Sequence, residues 1–87
     1  MSYITPDIIE VKALEDYKIY IKFETNEEKI YDMKKIINKI EYYKKLKNIE
    51  YFNKVVTRGE TIEWPGGEDV SPESLYYESI ATTQGVP

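Results

Sequence analysis

The side chains able to do chemistry in this chain are carboxylates, amines and phenols: 16 Asp and Glu, 12 Lys and Arg and 9 Tyr in 87 residues, with neither His nor Cys. Without Cys there is no disulfide, no thiolate nucleophile and no sulfur-ligated metal. Without His the commonest general base and metal ligand is missing. Asp32, Glu63, Glu68 and Asp69 would form an acidic pair or a hard-cation site if folding gathered them, because Mg²⁺ and Ca²⁺ take oxygen ligands. No calcium-loop spacing supports that, and capping and turn chemistry account for Asp32 and Asp69. Ser71 and the lysines lack a nucleophile–base arrangement. The expectation is a protein that is not an enzyme and takes no metal or cofactor.

The charges are unevenly distributed. Between Lys34 and Lys47 six lysines face Glu41 alone, a net +5, whereas the residues from Glu60 onward carry six acids and no base, a net −6. A basic segment attracts phosphates and an acidic one repels them. Lys34, Lys35, Lys39 and Lys45 are therefore the candidate nucleic-acid contacts, against the plainer reading of a solvated surface. Nine tyrosines are more than a core of this size can bury, and Tyr is enriched in interface hot spots. Tyr20, Tyr42 and Tyr77 are the candidate partner contacts.

A chain of 87 residues is one domain with a small core, read as ordered from about residue 7 to 79 with a flexible tail over 80–87. No run is long enough to span a bilayer, and the start has no basic segment leading into an apolar one. A cytoplasmic location is the default expectation.

Period-two alternation marks the first half. Residues 7–14 read as a strand, Glu15-Asp16 as its turn, and Tyr17 to Glu24 as a second strand with Tyr17, Ile19, Ile21 and Phe23 on one face. Tyr20 falls on the other face. Residues 25–28 turn the chain into a third strand over 29–33. The period then changes: Met33, Ile36, Ile37, Ile40 and Tyr43 line one side of a helix capped by Asp32. Asn48 would cap a second short helix.

Residues 55–57 and 61–64 form a hairpin about Arg58-Gly59-Glu60. Pro65-Gly66-Gly67 ends it, and Ser71-Pro72-Glu73 starts a last helix that runs to about Ser79. Trp64, the only Trp, beside Gly66 and Gly67 is either a ligand-stacking edge or a core ring, and a core ring fits its place at the close of the hairpin better. The fold class is α+β: a small single domain of antiparallel meander and hairpins with two or three short helices.

These motifs carry a resemblance. Tyr31-Asp32, Ile36-Ile37, Tyr43 with Leu46-Lys47-Asn48, Phe52 with Val55, and above all Trp64-Pro65-Gly66-Gly67-Glu68-Asp69 followed by Pro72-Glu73-Ser74-Leu75-Tyr76 resemble the small bacterial proteins of the domain of unknown function 2442. The resemblance covers about residues 7 to 78. It implies an α+β fold like the N-terminal domain of a putative DNA-binding protein. It also implies genes that lie beside a second small protein in pairs resembling toxin–antitoxin modules. This chain is too short for the helix-turn-helix of longer relatives, so DNA binding is not carried over. The expected function is a protein-interaction module, the antitoxin-like member of a two-gene pair, bound to the neighbouring gene's product or to a second copy of itself. The alternative is an accessory transcriptional regulator that touches nucleic acid through Lys34–Lys47.

Overall fold

The computed structural model describes residues 5–82. Six strands and three short α-helices follow in the order β1 (Ile8–Ala13), β2 (Lys18–Phe23), β3 (Glu28–Asp32), α1 (Lys34–Lys39), a 3₁₀ segment (Glu41–Lys47), α2 (Ile49–Phe52), β4 (Val56–Arg58), β5 (Thr61–Glu63), α3 (Pro72–Tyr77) and β6 (Ile80–Ala81). β1, β2, β3 and β6 form one antiparallel sheet in that order, and β4–β5 form a separate hairpin. The α+β class and the meander are as the sequence indicates.

Alternation in β2 sets the layer. Ile19, Ile21 and Phe23 are fully buried, while Lys18, Tyr20 and Lys22 are only half-buried on the other face. A slip of one residue would exchange the two sets, so the buried face fixes the register. A bulge between Ile8 and Glu10 lets both Ile8 and Val11 face inward, opposite Phe23 and Ile21.

The helices cover this inner face. Phe52 of α2 meets Tyr17 edge-on at 5.3 Å between ring centroids, and Tyr76 of α3 meets Phe23 edge-on at 5.1 Å. These contacts pin α2 and α3 to opposite ends of β2. Met33, Ile37, Leu46, Ile62, Trp64 and Leu75 complete one continuous core.

Four expectations need correction. The β1–β2 connection is Glu15–Tyr17, with both Asp16 (φ 61°) and Tyr17 (φ 60°) in the left-handed region. Asp tolerates that region, whereas Tyr is rare there. Tyr17 is held by its ring packing on Phe52 and its hydroxyl donating to the Lys47 carbonyl. Second, the helix after Asp32 stops at Ile40, which is extended and exposed, and a 3₁₀ segment follows. Third, residues 80 and 81 pair with β3 as a fourth strand. The rest of the expected tail, residues 83–87, lies outside the described residues, as does Tyr3. The last helix ends at Tyr77, short of Ser79.

Candidate functional site

The segment after β5 is held by a cluster of backbone and tyrosine hydrogen bonds. Trp64 N–H donates to the Glu68 carbonyl (3.0 Å) and Gly67 N–H to the Trp64 carbonyl (2.8 Å), closing a tight loop with Gly67 at φ 96°. Three tyrosines from the preceding helical segments tie it down. Tyr43 donates to the Asp69 carbonyl (2.6 Å), and Tyr42 lies 3.4 Å from the Gly67 carbonyl and from Asp69 Oδ1. Tyr51 donates to Glu68 Oε1 (2.6 Å) while accepting from Gly66 N–H (2.7 Å).

A Cβ at Gly66 would lie 2.6 Å from the Tyr51 hydroxyl and 3.1 Å from the Glu68 carboxylate, so a larger residue there would displace the Tyr51 hydroxyl from its place against Glu68. The bond to Glu68 and then burial raise the Tyr51 hydroxyl above its ordinary pKa, because the charged phenolate would face a carboxylate. Burial chiefly, with Tyr42, Tyr31 and Asp69 nearby, pushes Tyr43 up to about 12.

Trp64 is 1% exposed and donates from Nε1 to the Phe52 carbonyl (2.9 Å), so it is a core ring and not a stacking edge. Ser71 accepts from Ser74 N–H (3.2 Å) with Pro72 at the start of α3, an N-cap as its sequence indicates. Asp32 departs from its expected position: the N-cap of α1 is Met33, and Asp32 Oδ1 accepts from Lys34 N–H (2.9 Å).

The four carboxylates of the candidate cation site have separate engagements. Asp32 closes the turn before α1, Glu63 pairs with Arg58 (2.6 Å), the largely buried Glu68 accepts from Tyr51, and the Asp69 carboxylate accepts from Tyr42. Among the described residues no group of three or more acidic side chains is placed to hold a metal ion.

The candidate contact tyrosines do not form one surface. Tyr42 (54% exposed) belongs to the loop just described, packed edge-on against Tyr43 at 4.8 Å. Tyr77 (58% exposed) packs against Tyr76 at the end of α3. Tyr20 lies on the outer face of the sheet in a row across all four strands, Lys12–Tyr20–Ile30–Ile80. Burial, then Glu28 and Glu10, raise the Tyr20 hydroxyl above its ordinary pKa. Ile80 closes the row at 74% exposure. Its place could not be read from sequence, because β6 is two residues long and has no period.

The basic segment divides in two. Lys34 pairs with Asp16 (2.9 Å), while Lys35 and Lys39 stand exposed on α1. Lys45 instead joins Lys44, Lys47, Asn48, Glu50, Tyr51 and Lys54 around an open groove of about 700 Å³. Lys54 falls outside the basic run in the sequence and enters only through the turn that follows α2.

No helix among the described residues is long and apolar enough to cross a membrane. No curated protein and no solved structure gives a significant match to this chain. A family model described as a protein of unknown function, DUF2442, matches residues 8–81, which run from β1 through β6 and include the tyrosine-tied loop, and the chain belongs to that family.

Proposed function

We propose that this protein is a non-enzymatic, cytoplasmic interaction module whose docking surface is the outer face and free edge of the four-stranded sheet. One observation carries the reading: the sheet is one-sided and ends in an open, apolar edge. At the β1 side the β4–β5 hairpin lies alongside, with Ile8 N–H donating to the Gly59 carbonyl (2.8 Å). At the other side no further strand pairs with β6 among the described residues, and Ile80 stands beside Ile30 and Tyr20.

An edge strand offers unpaired N–H and C=O groups to a partner strand. The apolar row supplies the desolvated centre that an interface needs. On either side of it opposite charges face each other across the strands, Glu10–Lys22–Glu28 and Lys18–Asp32, which suits a polar rim. The occupant on this reading is another protein. The two-gene arrangement that goes with the family resemblance points to the neighbouring gene's product, with this chain as the antitoxin-like member.

The test is co-expression with that product and co-elution at high salt. Ile80→Lys and Tyr20→Ala should each abolish the complex while leaving the melting temperature within a few degrees, and Tyr42→Phe should retain it. Complexes formed equally well by folded Ile80→Lys and Tyr20→Ala chains would overturn the reading. A doubled mass of the isolated chain, lost in Ile80→Lys, would replace the partner by a second copy.

A further inference from the structure

The groove between the 3₁₀ segment and α2 is independent of the sheet surface. Its wall carries four lysines, Lys44, Lys45, Lys47 and Lys54, against Glu50, a net +3 on a chain whose net charge is −4. Lys44 is paired with Glu41 at 2.8 Å. Among the described residues Lys45, Lys47 and Lys54 have no carboxylate within ion-pair distance.

Lys12, Lys18 and Lys34 have carboxylate partners, and Lys29 donates to the Tyr76 carbonyl beside that ring. Among the described residues Lys22, Lys35 and Lys39 are unpaired too, but only Lys45, Lys47 and Lys54 are gathered around one groove. Three unpaired ammonium groups held around one concavity repel each other and concentrate anions there. Lysine ammoniums bind phosphate oxygens as point charges, without the bidentate geometry of arginine. Tyr51 also lines the groove, its hydroxyl fixed by Glu68 and Gly66, so its ring is held in place. Fixed aromatic rings among basic side chains are the parts from which single-strand binding surfaces are made.

We propose that this groove binds a short run of single-stranded nucleic acid, with Lys45, Lys47 and Lys54 on successive phosphates and Tyr51 against a base. The lysines of α1, which the charge run alone would select, are not part of this site. At about 0.1 M salt the Debye length is about 10 Å, shorter than the 35 Å long axis of the molecule. Acidic residues on distant surfaces therefore do not cancel the groove's field.

The test is fluorescence anisotropy of a labelled oligothymidylate titrated with the whole chain at several salt concentrations. Binding should weaken with a log–log salt slope of about −2 to −3, from about 0.7 per phosphate neutralised. That is roughly a 30-fold loss for a fourfold rise in salt. Lys45→Gln/Lys47→Gln/Lys54→Gln should remove the binding, and Lys54→Gln alone should flatten the slope by about 0.7. Lys34→Gln/Lys35→Gln/Lys39→Gln should bind as the parent does. All these side chains are exposed, so circular dichroism should show folded variants. No binding at low salt, or loss only in the α1 triple variant, would overturn the site. Equal competition by inorganic polyphosphate of matched charge would overturn the nucleic-acid assignment, and equal competition by polyglutamate would overturn phosphate recognition altogether.

Discussion

Tyr42, Tyr43 and Tyr51 show how a residue type that invites a functional reading can be occupied by structure. Each phenol ends on the loop from Gly66 to Asp69, and the glycines and acids of that loop are explained by the contact. Tyr43 gives this a pH signature. In the folded chain its hydroxyl loses its proton only near pH 12, whereas an unfolded tyrosine does so near 10. The folded state thus favours the neutral phenol, and the stability it adds is fully present below about pH 10 and lost as the pH rises toward 12. Urea unfolding midpoints at rising alkaline pH should therefore fall over that window in the parent and less steeply in Tyr43→Phe. Equal slopes in both chains would show that Tyr43 is not the group responsible.

Elements were legible where a local signal was strong. Strict alternation marked β2, because a half-buried strand must separate its two faces. Ser71-Pro72 marked α3, because the hydroxyl satisfies an N–H that the helix leaves unpaired and proline needs no partner there. Ser71→Ala should lower stability by about 1 kcal/mol, read as a reduced melting temperature; an unchanged midpoint would mean the cap contributes nothing. The helix after Asp32 is shorter than its apolar spacing implies. Its apolar spacing runs on through Ile40 to Tyr43, but Ile36, Ile37 and Ile40 are β-branched and a six-residue helix has little stability of its own. Tertiary bonds then prevail, and the 3₁₀ turn carries Tyr42 and Tyr43 to the loop and Leu46 into the core.

Across the whole molecule, Trp64 joins the parts. Its ring stacks tilted on Phe52 at 5.9 Å, and its N–H reaches the Phe52 carbonyl, tying the β4–β5 hairpin to α2 and through Tyr17 to the main sheet. A domain of this size has a stability of about 5–15 kcal/mol. Trp64→Ala should cost about 3–5 kcal/mol, seen as one cooperative transition displaced to much lower denaturant. Loss of partner capture with an unchanged midpoint would instead make Trp64 a contact residue. The sequence by itself determined the class of fold, the inner face of the meander, the capped last helix, the core role of Trp64 and the family. All rest on periods, caps and turn residues that act over a few positions along the chain. Only the tertiary structure decided that Ile80 completes the sheet, that Lys54 joins Lys45 and Lys47 across a groove, and that Tyr20 and Tyr42 lie on different surfaces. Those facts depend on strand pairing and helix breaks that bring distant residues together, and no local preference encodes them.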